Sequence, residues 1–268
     1  MRFRVVLRLS STIAFKLCLG VRIAVRGGLV IKIVAAVRRR PGMTHAEYLQ
    51  YVQVIHGGLA RANTLGLSRY VQNHVFDGAF GKAAYERWFH RDSITELYFA
   101  NFQRLIETFT HPYSRDVVGP DGAKFADLTT NLSLPPMTEQ VVQAPPRPGS
   151  GVKVMHFMKA VGGIDALKAQ WQQAHTAAVR AVPDFETKLR GHIRALAEPP
   201  TGKEAAGAAE YFGDGDLPQF DGVTSFWLSG EQDLEAFRRY ETALGGQRLF
   251  DSDLSFFVYA REVEIFDL

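Results

Sequence analysis

The order of apolar and polar positions along the chain predicts the same series of elements twice: strand, helix, strand, strand, helix, strand. In the first half, the apolar run 30–37 predicts a strand that ends at a basic cluster and a Pro-Gly turn signal. Thr44 followed by Glu47 has the pattern of a capping box at the start of a helix. Apolar residues at helical spacing then continue this helix to about Ala62.

The remaining elements follow from the same two periodicities. The first half adds strands at 68–76, 94–100 and 131–142 and a short helix at 102–109. The second half has strands at 152–160, 185–195, 223–228 and 254–266 and helices at 165–182 and 233–244. Long insertions at 77–92 and 197–220 separate the second and third strand of each half, and the composition of the second insertion predicts a mobile loop.

Two segments centred on histidines indicate an internal duplication. His56 and His175 are each followed five positions later by an Arg-Ala pair, and a second histidine follows each of them, His74 and His192. Such repeats are examined first because they decide the whole architecture. The sequence therefore predicts an α+β fold with two ferredoxin-like βαββαβ repeats, 30–143 and 152–268, joined by a Pro/Gly linker at 144–151.

Charge is distributed unevenly along the chain. The formal net charge is +3, but residues 1–40 contain ten Lys or Arg and no acidic residue. The rest of the chain holds 21 basic and 28 acidic residues, a net charge of −7. A nucleic-acid-binding domain carries its positive charge on the folded part, so we expect no nucleic-acid partner.

The basic segment 1–29 has three open interpretations. It resembles an organelle transit peptide, a surface-lying amphipathic anchor, or an upstream over-extension of the reading frame. Its charges interrupt the apolar run, so no membrane-spanning helix is expected there. The single cysteine, Cys18, excludes a disulfide within the chain and fits a reducing compartment, and we expect a cytoplasmic protein.

Several motifs of the first half resemble the EthD family. They are the run from Arg38 to Thr44, the segment Glu47–Tyr51, the tetrapeptide His56–Leu59 and the strand Arg69–Val75. Together they cover about 40 residues in the right order, whereas the second half retains the pattern only in degenerate form. The resemblance implies an intramolecular dimeric α+β barrel, in which two ferredoxin-like sheets pack face to face and enclose a cavity.

The resemblance also implies a role in the breakdown of small organic molecules. Related proteins include dehydratases or decarboxylases of aromatic polyketides, cofactor-free monooxygenases and haem enzymes. We therefore expect an oxidoreductase-type enzyme that acts on an apolar or aromatic carbonyl compound without a nucleotide cofactor. A lyase and a non-catalytic ligand-binding accessory protein are the alternatives, and the chain would be a monomer or a homodimer. Fold-level analogy alone does not decide between them.

Strand alternation selects the candidate catalytic residues. Tyr70 and His74 share one face of their strand, and Glu96 and Tyr98 share one face of the next. If both polar faces line the barrel cavity, His74 beside Glu96 is a workable general base and the phenols orient a carbonyl. A packed centre with Tyr70 and His74 turned outward would contradict this arrangement.

Three further residues are candidates for substrate binding. Gln72 lies on the same strand face as His74, His56 lies late in the first helix, and His192 is the second-half counterpart of His74. A structural role near the helix end is the alternative for His56. The spacing of His, Cys and carboxylate residues predicts no metal site. Haem on His74 or His192 is the single cofactor left open, by analogy with the superfamily.

Overall fold

The computed structural model describes residues 30–130, 132–198 and 220–268. The predicted leader at 1–29 and most of the second insertion lie outside the described residues. Within the described ranges the chain forms nine strands. They are β1 (Ile31–Val37), β2 (Leu67–Phe80), β3 (Ser93–Phe99), β4 (Leu132–Ser133), β5 (Met137–Gln143), β6 (Val152–Met158), β7 (Leu189–Ala197), β8 (Gly222–Leu228) and β9 (Phe256–Asp267).

Eight of these strands close into one antiparallel barrel. Their order is β3-β2-β9-β6-β8-β7-β5-β1, and pairing of β1 with β3 closes the ring. The short β4 pairs with β1 beside the ring. The long strand β9 pairs with β6 along its first part and with β2 along almost its whole length. Every strand of the ring therefore has a hydrogen-bonded neighbour on both sides.

The expectation of two ferredoxin-like repeats that form a dimeric α+β barrel is wrong. The strands build a closed eight-strand antiparallel barrel, and the two halves share hydrogen-bonded ladders at β2–β9 and β5–β7. The physical reason is that two separate sheets would expose unpaired backbone groups along their edges, whereas closure satisfies them. The internal duplication itself stays a prediction.

The helices lie outside the barrel. They are α1 (His45–Gln50), α2 (Gly57–Ala62), α3 (Ala83–Phe89), α4 (Phe102–Thr110), α5 (Gly119–Asp121), α6 (Gly163–Ala181), α7 (Pro183–Lys188) and α8 (Leu234–Gly245). A π-helical turn, Tyr51–His56, joins α1 to α2. A second π-helical turn, Ser114–Val118, precedes α5. None of the helices in the described ranges is both long and apolar enough to cross a membrane.

Local sequence signals account for most of these boundaries. Thr44 caps α1, and its side chain and that of Glu47 form the predicted capping box. One element differs from the expectation. Residues 185–188 were expected to begin a strand, but 183–188 form a helix with Pro183 in its first turn. The insertion at 77–92 holds the end of β2 and α3.

Side chains fill the interior of the barrel. One end is apolar and includes Phe89, Phe157 and Phe256, whose rings stack on one another. The other end holds buried charged residues, among them Lys32, Glu96 and Lys153. The expectation of a ligand cavity between two facing sheets is therefore wrong, because the space inside the ring is used for packing.

Candidate functional site

The candidate site is a cavity of about 270 Å³ on the outside of the barrel. It lies between the outer face of β1, β2 and β3 and a helical layer made of the π-helical turn Tyr51–His56, α2, α4 and residues 114–128. Most of its wall is apolar, as in typical small-molecule sites. The polar side chains of the wall are those of His56, Asn63, Tyr70, Thr95, Thr108 and Ser114.

The π-helical turn places two polar side chains on one carboxylate. Tyr51 Oη donates a hydrogen bond to Asp121 Oδ1 at 2.8 Å, and His56 Nδ1 lies 3.0 Å from Asp121 Oδ2. These two residues are five positions apart, which is the hydrogen-bond spacing of a π-helix, so they project from nearly the same side of it. In the π-helical turn both side chains reach Asp121, which lies in α5.

Asp121 is held in its ionised form. Burial opposes ionisation, but hydrogen bonds from Tyr51, His56 and Lys124 outweigh it and lower the pKa of Asp121 below 3.8. The carboxylate is 3% exposed, and Lys124 Nζ lies 3.1 Å from its Oδ1. An ionised carboxylate only accepts hydrogen bonds. His56 must therefore carry its proton on Nδ1, the nitrogen that faces Asp121.

His56 is consequently a neutral imidazole with a free basic nitrogen. Burial lowers its pKa below 6.5, although Asp121 acts in the opposite direction. With Nδ1–H donated to the carboxylate, Nε2 on the other side of the ring is available to accept a proton. Phe125 packs on the imidazole with ring centroids 4.7 Å apart and fixes its orientation. This arrangement is that of a general base oriented by a carboxylate.

The predicted face of β2 forms a row of hydrogen-bonded polar groups. Gln72 Nε2 donates to Tyr70 Oη at 2.8 Å and to the carbonyl oxygen of Val52, and His74 Nε2 lies 3.2 Å from Gln72 Oε1. Tyr70 reaches the cavity wall, while Gln72 links it to His74 beyond the wall. Burial raises the pKa of Tyr70 to about 12, so its hydroxyl stays a phenol.

His74 does not border the cavity. It is half-buried, and burial together with the nearby His45 lowers its pKa to about 4. Its Nε2 is engaged with Gln72. The structure thus brings Tyr70, Gln72 and His56 to one side of the sheet and leaves His74 at the edge of that group.

Glu96 and Tyr98 point the other way, into the barrel. Glu96 forms ion pairs with Lys32 and Lys153, and the Lys153 Nζ to Glu96 Oε2 distance is 2.5 Å. Asn73 Nδ2 donates to Glu96 Oε2 at 2.9 Å, and Tyr98 Oη donates to Glu139 Oε1 at 3.2 Å. The structure therefore separates the predicted group of four, because the polar faces of β2 and β3 lie on opposite sides of the sheet.

The charged network inside the barrel holds its members in fixed ionisation states. Burial disfavours the charge on Glu96, but Lys153 and Lys32 outweigh it and hold its pKa far below 4.5. Burial likewise opposes the charge on Lys32, and Glu139 and Glu96 raise its pKa well above 10.5. A carboxylate this stable as an anion is a poor proton acceptor. These residues specify the packing of the barrel instead.

His192 lies on β7, beneath the second helical layer, which α6, α7 and α8 form over β6, β7 and β8. It is fully buried between Phe226 and His175, with ring centroids at 4.6 and 4.5 Å. Neither of its ring nitrogens has a hydrogen-bond partner among the described residues. Aromatic rings fill the space around it, so a ligand has no room there.

Haem does not fit the described residues. The aromatic packing around His192 leaves no space for a macrocycle, and His74 Nε2 is engaged with Gln72. His56 meets one condition for a metal ligand, because a carboxylate holds its other nitrogen. However, its cavity of about 270 Å³ is smaller than the usual range of about 300–1,000 Å³. No Lys or Arg stands among its described lining residues to pair with haem carboxylates.

Sequence reasoning did not identify Asp121. It lies in the segment Gly119–Gly122, whose Gly-Pro-Asp-Gly sequence is a turn signal, and it is 65 positions from His56. An acidic residue directly before a glycine was the one local feature that marked this position. Its pairing with a distant histidine depends on how α5 packs over the sheet.

These observations define an antiparallel barrel with a ligand-sized cavity beneath one of its helical layers. The EthD domain model matches residues 40–129, so this part of the chain is an EthD domain, as the motifs predicted. The match contains His56, Tyr70 and Asp121, and hence the polar groups at one wall of the cavity. No curated protein sequence matches the chain.

Several solved structures have a similar fold at low identity. An anthrone oxidase-like protein is 10% identical with a TM-score of 0.50, and the match covers 90% of this chain and 94% of that one. A putative monooxygenase from Fusobacterium nucleatum is 6% identical with a TM-score of 0.50, covering 88% and 93%. A putative chlorite dismutase is 11% identical with a TM-score of 0.49, covering 89% and 96%. At such identities the likeness shows the fold alone.

Proposed function

We propose that the chain is an oxidase-type enzyme that acts on a small, mostly apolar carbonyl or phenol compound bound in the first-layer cavity. One observation carries the proposal: a neutral histidine, held by an ionised carboxylate, stands in the wall of an apolar cavity. A base in an apolar site with its tautomer fixed is suited to removing a weakly acidic proton. The names of the similar structures agree with oxidation as the following step.

In this scheme His56 Nε2 removes a proton from a CH₂ group that a conjugated carbonyl group makes acidic. The resulting carbanion is electron-rich and transfers electrons to molecular oxygen, which is the oxidant. Overall, a CH₂ group and O₂ give a carbonyl group and water, so atoms and electrons balance. Asp121 stabilises the imidazolium that forms, in the role of the carboxylate in a catalytic triad.

Tyr70 is proposed to orient the substrate. Its phenol borders the cavity, accepts a hydrogen bond from Gln72 and lies beside the hydroxyl of Thr95, another polar group of the wall. A phenol placed in this way stabilises negative charge that develops on the carbonyl oxygen. His74 acts on this group through Gln72, so we propose that it is a positioning residue. Glu96 and Tyr98 remain candidates from the sequence, and their place inside the barrel argues for a structural role.

Replacing His56 by Gln tests the proposal. Anthrone, a ketone with an acidic CH₂ group, is a suitable first probe because a protein of similar fold is described as anthrone oxidase-like. We expect turnover to fall about 10²–10⁴-fold, the usual contribution of a general base. Oxygen uptake and product formation measure it, and circular dichroism checks that the variant is folded.

His74→Gln is the matched control, because it alters the other histidine on the same side of the sheet. We expect a loss of no more than about tenfold, since His74 does not touch the cavity. The opposite result, with turnover lost in His74→Gln and kept in His56→Gln, would return the catalytic role to His74. Product formation without oxygen uptake would favour the lyase, and ligand-induced stabilisation without turnover would favour the binding protein.

A further inference from the structure

A second cavity of about 290 Å³ lies under the other helical layer. Its walls come from the C-terminal part of β2 and the turn after it, from β6 and β9, from α8, and from residues 250–255. It shares no lining residue with the first cavity. The turn after β2 and the loop 250–255 approach each other closely here. This requires glycine at position 81, because an added Cβ would lie 1.9 Å from the carbonyl oxygen of Ser252.

His156 is the feature that distinguishes this cavity. The residue lies on β6, is 0% exposed and borders the cavity. Neither ring nitrogen has a hydrogen-bond partner among the described residues. Buried polar groups are normally paired, because leaving one unpaired costs about 1–3 kcal/mol. A buried imidazole that faces a cavity without a partner is therefore best explained by a ligand that supplies one.

The walls around His156 are aromatic. Phe257 stacks on the imidazole with ring centroids at 4.0 Å, and Phe250 meets it edge-on at 4.6 Å. Phe80 also lines the cavity. Flat aromatic ligands suit such walls, because offset and edge-to-face ring contacts add to the gain from burial.

The charges of the cavity compensate each other. Arg238 Nη1 forms an ion pair with Glu241 Oε2 at 2.5 Å and donates a hydrogen bond to Tyr259 Oη. Burial lowers the pKa of His156 to about 3, so the imidazole is neutral at physiological pH. The remaining polar lining residues, Thr242, Ser252 and Ser255, are uncharged. The cavity therefore has no net charge to attract an ion.

We infer that the second cavity is a binding site for a small neutral phenol, whose hydroxyl group hydrogen-bonds to His156 and whose ring packs among Phe80, Phe250 and Phe257. A neutral imidazole offers one acceptor nitrogen and one N–H donor, and a phenol hydroxyl can use either. The weak basicity of this histidine means that the phenol is bound without losing its proton. The site is thus one for binding, separate from the chemistry assigned to His56.

p-Cresol and toluene differ only by a hydroxyl group, and together they test this inference. Calorimetric titration of the full chain measures their affinities in the background of Ala35→Ile, which narrows the first cavity and reduces binding there. In the His156→Phe variant the ring contacts are kept and the nitrogens are removed. We expect p-cresol to bind about tenfold more weakly to this variant and toluene to change by less than about twofold.

The Gly245→Met variant tests whether the probes bind in the second cavity, because Gly245 lines it. An added Cβ at Gly245 meets nothing within 4 Å, so a longer side chain has room to enter the cavity, and replacing glycine in a helix does not harm its stability. We expect this variant to bind neither probe. The inference is overturned if p-cresol does not bind to the Ala35→Ile protein, if His156→Phe binds it as tightly, or if Gly245→Met leaves the affinity unchanged.

Discussion

The two helical layers of this protein cover the same kind of sheet and use histidine in opposite ways. In the second layer the apolar residues form one continuous buried cluster of aromatic and aliphatic side chains. In the first layer they form three smaller clusters around a cavity. The second layer therefore packs as one cluster, and its cavity lies beside Phe250 and Phe257 of that cluster, whereas the first layer is divided around its cavity.

The partner of the helix histidine differs between the layers in the same way. His175 Nδ1 lies 2.8 Å from the hydroxyl of Tyr240, a neutral partner, and burial lowers its pKa to about 4. His56 faces the carboxylate of Asp121. A carboxylate orients the ring and stabilises its protonated form, while a phenol does only the first. The helix histidine therefore has a neutral partner in the second layer and an ionised one in the first.

Asp121→Asn gives the largest effect expected for this comparison. Tyr51 and His56 bond to different oxygens of the carboxylate, whereas an amide has one oxygen and one NH₂ group, so one of the two donors loses its acceptor. The wrong tautomer of His56 then becomes populated, and we expect turnover to fall about 10²–10⁴-fold. Steady-state kinetics measure this, with Tyr51→Phe as the control that stays within about tenfold. Full activity in Asp121→Asn would show that the carboxylate does not set the tautomer.

Matched truncations of one aromatic ring in each layer compare the packing. Phe226→Ala removes a fully buried ring of the second layer, and we expect it to lower the free energy of unfolding by about 3–5 kcal/mol. Phe125→Ala removes a ring that already borders the cavity, so fewer contacts are lost and the decrease should be about 1–2 kcal/mol smaller. Urea unfolding measures both. Equal losses of unfolding free energy would show that the side chains beside the first cavity are packed as tightly as those of the second layer.

Mild acid should weaken the second layer through its buried histidines. The pKa of His192 is lowered well below 6.5 by burial, with His175 and Arg194 acting in the same direction. Above pH 6.5 neither the folded nor the unfolded state binds a proton there. Below it the unfolded state does and the folded state does not, so stability falls as the pH decreases.

The His192→Phe substitution removes a group that binds a proton in the unfolded state but not in the folded state. Between pH 6.5 and 5.0 we expect the variant to lose about 2 kcal/mol less stability than the unmodified chain. Glu96 contributes nothing to this window, because its lowered pKa matters only below its ordinary value of 4.5. Urea unfolding at several pH values measures the difference. Parallel pH dependences would show that His192 is protonated in the folded state.

Enlarging one small side chain in each layer should give the smallest effect. Ala35→Ile extends into the first cavity from a strand, and we expect the unfolding free energy to change by less than about 1.5 kcal/mol. Ala178→Leu forces extra methyl groups into the packed second layer and should cost about 1–3 kcal/mol. Thermal and urea unfolding compare them. A larger loss in Ala35→Ile would mean that the first layer has no usable space.

Local signals were enough to locate most elements and one part of the site. The capping box at Thr44 and the alternation along β2 are properties of neighbouring residues, and both were predicted. The motifs around His56 and Tyr70 were enough to predict the EthD domain. In contrast, the helix at Pro183–Lys188 was missed, because a proline that begins a helix also looks like the boundary of a strand.

The sequence by itself determined which residues share a face of each strand, since that follows from a period of two. Only the tertiary structure decided which face is inside. Closure of the barrel brings Lys32 and Lys153 from two other strands onto Glu96, and these ion pairs make a carboxylate stable in the interior. The same closure turns Tyr70 toward the helices, where α5 brings Asp121 to His56. Pairing between charges far apart in the chain depends on this packing, and that is why the site belongs to the outer layer.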